Sequence, residues 1–177
     1  MIESYYWRED LLDHARRLRP VKNPKRWSDR ALVIFEKELM ISFYIVRTLL
    51  ERDKTSKKSD DYRVSVRCVP WNRRSLTKLN YFDIERLYSF DREFDDKISV
   101  KHLANQFIHS RAIFAIRDKT RNWSEIMLCS DRQAKNVLYR VSIDEIRKTL
   151  LFVGKDYAES LSYIWDPKIE DYQVKRG

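Results

Sequence analysis

The sequence predicts an α+β domain: two long helices and two or three shorter ones packed on a small antiparallel sheet of three or four strands. Three observations predict it. Residues 28–52 and 142–164 each repeat apolar side chains every three or four positions, the period of a helix with a buried stripe. Residues 62–71 instead alternate, with Tyr62, Val64, Val66 and Cys68 on one side and Arg63, Ser65 and Arg67 on the other, the period of a half-buried strand. Glycine occurs only 2 times and proline 4 times in 177 residues, too few for the tight turns of a barrel or sandwich.

In chain order, residues 4–18 form an amphipathic helix with Tyr5, Leu11, Leu12, Ala15 and Leu18 on one side, closed by Pro20. The segment 20–27 carries two prolines and several basic residues and reads as an extended linker. The helix at 28–52 opens on Ser28 and Asp29, which can accept from the free N–H groups of a first turn. Its main stripe is Leu32, Phe35, Leu39, Phe43, Val46 and Leu50, and Ile34, Ile41 and Ile45 add a second apolar face. Such a helix, roughly 37 Å long, is expected to be enclosed as the spine of the core.

A polar run at 53–61 reads as a surface loop, and Pro70 ends the strand that follows. Residues 82–90 form a short helix and 91–97 a charged loop. A helix capped by Ser99 covers 99–110, and three short strands follow at 111–117, 124–130 and 134–142, joined by connections short enough for antiparallel neighbours. The last helix starts at Ser142, with Glu145 completing a capping box, and its stripe runs Ile143, Ile146, Leu150, Val153, Tyr157, Leu161 and Ile164. Asp166 and Pro167 close it. Residues 1–177 are expected to form one domain, with 168–177 a frayed tail.

Lys plus Arg number 36 against 27 Asp plus Glu, a net charge of +9, which suits a polyanionic partner. The apolar run at 39–50 is too short to span a bilayer and contains Arg47. No signal peptide precedes the first helix, so Cys68 and Cys129 read as free thiols of a cytoplasmic protein. The three histidines, His14, His102 and His109, match no ligand spacing, and no metal or cofactor is expected. Walker loops, nucleophile elbows and paired carboxylates do not occur.

Three constellations carry chemistry. In 105–111, NQFIHSR, Asn105 and His109 are neighbours on a helix and Arg111 follows where a strand begins; together they can bind a phosphate or protonate a leaving group. The same residues also fit a histidine seated at a helix C-terminus by the dipole. Arg8 and His14 form a second pair, six apart on the first helix. The third is basic residues beside tryptophans: Lys25, Arg26 and Trp27; Trp71, Arg73 and Arg74; Arg121 near Trp123. Cations there would hold phosphates and an exposed ring would stack on an unpaired base.

The motifs NQFIHS at 105–110, Ser130–Asp131 and VGKDY at 153–157 resemble a group of small uncharacterised bacterial proteins found in mobile-element or phage-defence settings. That resemblance implies a setting and assigns no activity. The Arg8 to His14 spacing is similar to that of HEPN ribonucleases, which would make the pair a metal-independent RNA-cleaving site, although Glu9 stands where that family usually carries Asn, Asp or His. The leading expectation is a non-enzymatic basic accessory protein contacting nucleic acid or an acidic protein partner. The alternatives are the ribonuclease and a structural homo-oligomer assembled through the sheet edge or the long helix.

Overall fold

The computed structural model describes residues 3–24, 26 and 28–176. Helix α1 (Ser4–Arg17) and helix α2 (Asp29–Glu51) come first, followed by the single-turn α3 (Lys57–Asp61) and strand β1 (Arg63–Pro70). The short α4 (Ile84–Leu87), strand β2 (Phe94–Ser99), helix α5 (Val100–Ile108), strands β3 (Ser110–Arg117), β4 (Trp123–Ser130) and β5 (Val137–Ser142), helix α6 (Ile143–Lys155) and the strands β6 (Leu161–Asp166) and β7 (Asp171–Arg176) complete the chain. The fold is α+β, but its main sheet has five strands in the order β2-β1-β5-β4-β3, and β6 and β7 form a separate two-stranded hairpin. All pairings are antiparallel.

The strand missing from the sequence reading is β2, which lies in the segment expected to be a charged loop. It pairs with β1 from Arg63↔Ser99 to Cys68↔Phe94. Only Ile98 of its six residues is buried, so it has no alternation to detect. Asp95, Asp96 and Lys97 suit an edge, where charges discourage pairing with another chain.

Helix α2 forms where its caps and stripe place it, with the Ser28 hydroxyl accepting from the Ala31 N–H. Leu39, Phe43, Val46 and Leu49 are fully buried, each stabilising by about 1.5–3 kcal/mol. Phe43 stacks on Phe107 of α5, ring centroids 4.1 Å apart. The helix is not enclosed, however. Val33, Ile34, Met40, Ile41 and Tyr44 are 38–60% exposed and form a second apolar face open to solvent, with the Trp7 ring of α1 lying 6.3 Å from that of Tyr44 at one end.

Helices α1, α2, α5 and α6 share one core with the inward side chains of the sheet, including Val64, Val66, Ile126, Leu128 and Val141. On the opposite side of the sheet, Val69, Met127, Cys129 and Leu138 pack with Leu87 and Tyr88 from the segment that joins β1 to β2. Both cysteines are free and buried. Within α1, Leu11, Ala15 and Leu18 face the core, whereas Tyr5, expected on that stripe, is half exposed.

The last helix is shorter than its apolar stripe. Its N-terminus is capped as expected, Ser142 Oγ accepting from the Glu145 N–H, but α6 stops at Lys155. The Asp156 carboxylate accepts from the Ser56 N–H at 3.1 Å, the Ser56 hydroxyl at 2.6 Å and the Ser59 hydroxyl at 2.6 Å. Those bonds hold the backbone out of helical register. Leu161 and Ile164, in phase with the stripe, instead lie on β6, and the expected frayed tail is strand β7, tied back by Arg176 to Asp53 at 3.4 Å and to Asp60. At the penultimate position of α6, Gly154 allows close approach to α1: a Cβ there would stand 3.0 Å from Leu12 Cδ2 and 3.6 Å from the Arg8 carbonyl oxygen.

Candidate functional site

Helix α5 follows β2 without a loop, its first turn capped by Ser99 Oγ, which accepts from the His102 N–H at 3.1 Å. The spacing 102, 105, 106, 109 then sets His102, Asn105, Gln106 and His109 along one helix face. That face, the turn Ser130, Asp131, Arg132 and Gln133 after β4, and Arg47 from α2 line an open cleft of about 640 Å³.

Two hydrogen-bond networks hold its walls. Gln106 Oε1, on a buried side chain, accepts from the Ser130 N–H at 3.0 Å and so ties α5 to the end of β4. His102 Nε2 lies 3.0 Å from the Tyr139 hydroxyl and 3.1 Å from Gln106 Nε2. With both as donors the ring is the neutral Nδ1–H tautomer, an assignment that follows from the network. Burial pushes the His102 pKa below its ordinary value and that of Tyr139 up to about 12, so both groups stay uncharged. On the other wall the Asp131 N–H donates to the His109 carbonyl at 3.2 Å, and Arg111 Nη1 donates to Asp131 Oδ1 at 2.9 Å.

What the cleft offers a ligand is therefore cationic and polar. Arg111 neutralises Asp131, the lining carboxylate, while Arg132 has no carboxylate partner among the described residues. Arg47 pairs with Glu51 one turn on, yet its Nε is buried without a hydrogen bond. Asn105 Oδ1 is also buried and unpartnered. A buried acceptor left unpaired costs about 1–3 kcal/mol, which a ligand donor reaching it would return.

The other sequence-derived candidates lie elsewhere. Arg8 is only 1% exposed, and its guanidinium donates to the carbonyls of Val153 at 2.9 Å, Asp156 at 2.6 Å and Lys54 at 2.5 Å, with the Tyr157 ring 4.0 Å away. These carbonyls lie at or just past the C-terminal ends of α6 and α2, where oxygens lack helical partners and the dipoles favour a cation. His14 is 2% exposed, with Nδ1 2.5 Å from Ser42 Oγ. Burial depresses its pKa to about 4, although Glu38 Oε2 stands 3.6 Å from Nε2; Arg17 pairs with the same carboxylate. Neither side chain opens toward an RNA strand, and the fold is not the four-helix bundle of HEPN ribonucleases. This pair is structural.

Trp71 and Trp123 do not supply open stacking platforms either. Trp71 is half-buried against the second core, and Trp123 is stacked on Phe35 at 4.3 Å with Arg117 4.0 Å over its ring. Arg26, Arg73, Arg74 and Arg121 are exposed, Arg73 and Arg121 with positive φ, and none lines the cleft; Lys25 and Trp27 lie outside the described residues. Of the expected residues, the structure brings together Asn105 and His109, with Arg111 behind Asp131. Sequence reasoning missed Arg47, His102, Gln106, Arg132 and Gln133 as companions; only the helical spacing from 102 to 109 could have signalled two of them.

Among the described residues there is no group of three or more His, Cys, Asp or Glu placed to hold a metal ion. Nor is any helix among them long and apolar enough to cross a membrane. Compared with known proteins, the chain matches no family model, no curated protein and no solved structure.

Proposed function

We propose that this chain is a non-enzymatic nucleic-acid-binding protein that seats a phosphate of single-stranded RNA in the cleft between α5 and the turn after β4. The observation that carries the reading is the convergence of Arg47, Arg132 and His109 on a cleft whose buried acceptor, Asn105 Oδ1, has no partner. Arginines supply fork-shaped donors for phosphate oxygens. An unpaired acceptor beside them suits a ligand that also carries a donor, as the 2′-hydroxyl of ribose does. The net charge of +9 favours the encounter.

Binding is favoured over cleavage because general acid–base cleavage commonly draws on two titrating groups. His109 is the one open imidazole of the cleft; His102 Nε2 is occupied by Tyr139 and Gln106. The mobile-element or phage-defence setting implied by the sequence motifs belongs to this proposal as its biological frame.

Fluorescence anisotropy with labelled single-stranded RNA and DNA of one sequence, at two salt concentrations, tests it. RNA should bind more tightly than DNA. Arg132→Ala should weaken binding and flatten the dependence on log salt by about 0.7 per lost phosphate contact. Asn105→Leu should erase the RNA preference. No RNA binding at low salt, or equal binding by Arg132→Ala, would reject the proposal.

A further inference from the structure

Two faces of α2 are apolar, and one of them is bare. Val33, Met40 and Tyr44, with Lys37 between them, lie in a single row along the helix, and Ile34 and Ile41 run beside it. All five apolar members are exposed. A stripe of this length along a 23-residue helix is the geometry of a helix–helix interface. The α5 cleft adjoins its C-terminal end: Tyr44, Thr48 and Glu51 line a depression with His109, just past α5, and Trp7 of α1.

We propose that this face receives a second copy of the same chain, α2 against α2, antiparallel about a two-fold axis between Met40 and Ile41. The charges on the row select that partner and that orientation. An axis there sets each residue opposite the one equally far beyond it, so Arg30 meets Glu51 of the second copy, twice over by symmetry. Lys37 meets Tyr44, a cation over an aromatic ring. Val33 meets Thr48, and at the centre Met40 of each copy meets Ile41 of the other. Parallel pairing would instead oppose Arg30 to Arg30, Lys37 to Lys37 and Glu51 to Glu51, and like charges in register disfavour it. Arg30, Lys37 and Glu51 are all exposed and available. Within the monomer Glu51 pairs with Arg47, one turn back on the same helix. The dimer does not depend on what the cleft binds.

Sedimentation equilibrium over a concentration series tests the assembly. The wild type should be a dimer that dissociates on dilution, and Ile41→Asp should raise the dimer Kd at least tenfold with the circular dichroism spectrum unchanged. Arg30→Glu and Glu51→Arg should each weaken it, and the double variant should restore it, which a loss of folding would not do. Cysteines at two positions read the orientation, since the native Cys68 and Cys129 are buried. Ile41→Cys, near the axis, should cross-link two chains. Arg30→Cys should not, because its two copies would stand roughly 31 Å apart along the helix. A wild type that stays monomeric at every concentration overturns the proposal, as does a dimer indifferent to Ile41→Asp. So does failure of the double variant to restore the dimer, or equal cross-linking at position 30.

Discussion

Two arginine–histidine pairs in this molecule have opposite fates. Arg8 and His14 are 1% and 2% exposed, while Arg47 and His109 line an open cleft. The residue types are the same, and the first pair even has the more suggestive spacing. What differs is where the acceptors are. Arg8 finds three backbone carbonyls at the ends of α2 and α6 and is consumed in joining them. Arg47 finds one carboxylate, on its own helix, and lines the open cleft; a buried Nε without a hydrogen bond is common to both arginines. A guanidinium becomes structural when helix ends converge on it, and a binding group when they do not.

The comparison can be broken most directly at Arg8. Replacing it with Met should destabilise the protein by about 3–5 kcal/mol, since it leaves the carbonyls of Val153, Asp156 and Lys54 without their donor. Urea unfolding measures this, and a loss under about 1 kcal/mol would make Arg8 as dispensable as a surface residue.

A smaller effect, with a pH signature, belongs to His14. Burial lowers its pKa from 6.5 to about 4, so between these values the unfolded chain holds the proton more tightly than the folded one. Its contribution is therefore complete above about pH 6.5 and is lost as pH falls toward and below 4, by about 3 kcal/mol in all. His14→Gln should remove that slope from the difference between the two stability curves. Parallel curves would show that the ring is not buried in its neutral form.

The smallest effect on stability is expected in the cleft. Arg132→Ala and His109→Ala should each stay within about 0.5 kcal/mol of the wild type, because both side chains are exposed. If either unfolds the protein as Arg8→Met should, the open pair is structural too, and the contrast disappears.

Much of the architecture was legible along the chain because its causes are local. Ser28, Ser99 and Ser142 each cap the helix they announce. The alternation of β1 follows from the period-two pattern, and the strands expected at 111–117, 124–130 and 134–142, which form at 110–117, 123–130 and 137–142, follow from their short connections. Part of the site was legible too: Asn105 and His109 share a helix face by spacing alone. Their companions were not, because Arg132 reaches the cleft through the bonds of Ser130 to Gln106 and of Asp131 to His109, and Arg47 through the packing of α2 on α5.

The last stretch shows the limit most clearly. Leu161 and Ile164 continue the helical stripe of α6 in phase, yet they lie on β6, since Asp156 gives its carboxylate to Ser56 and Ser59, about a hundred residues earlier. Periodicity and caps determined α1, α2, α5, the start of α6 and strand β1, because those choices depend on neighbours a few residues away. Tertiary structure decided which face of α2 is covered, which arginine is buried and where α6 ends. Each of those outcomes depends on groups distant in sequence meeting in space, where an unpaired carbonyl or carboxylate must find a donor.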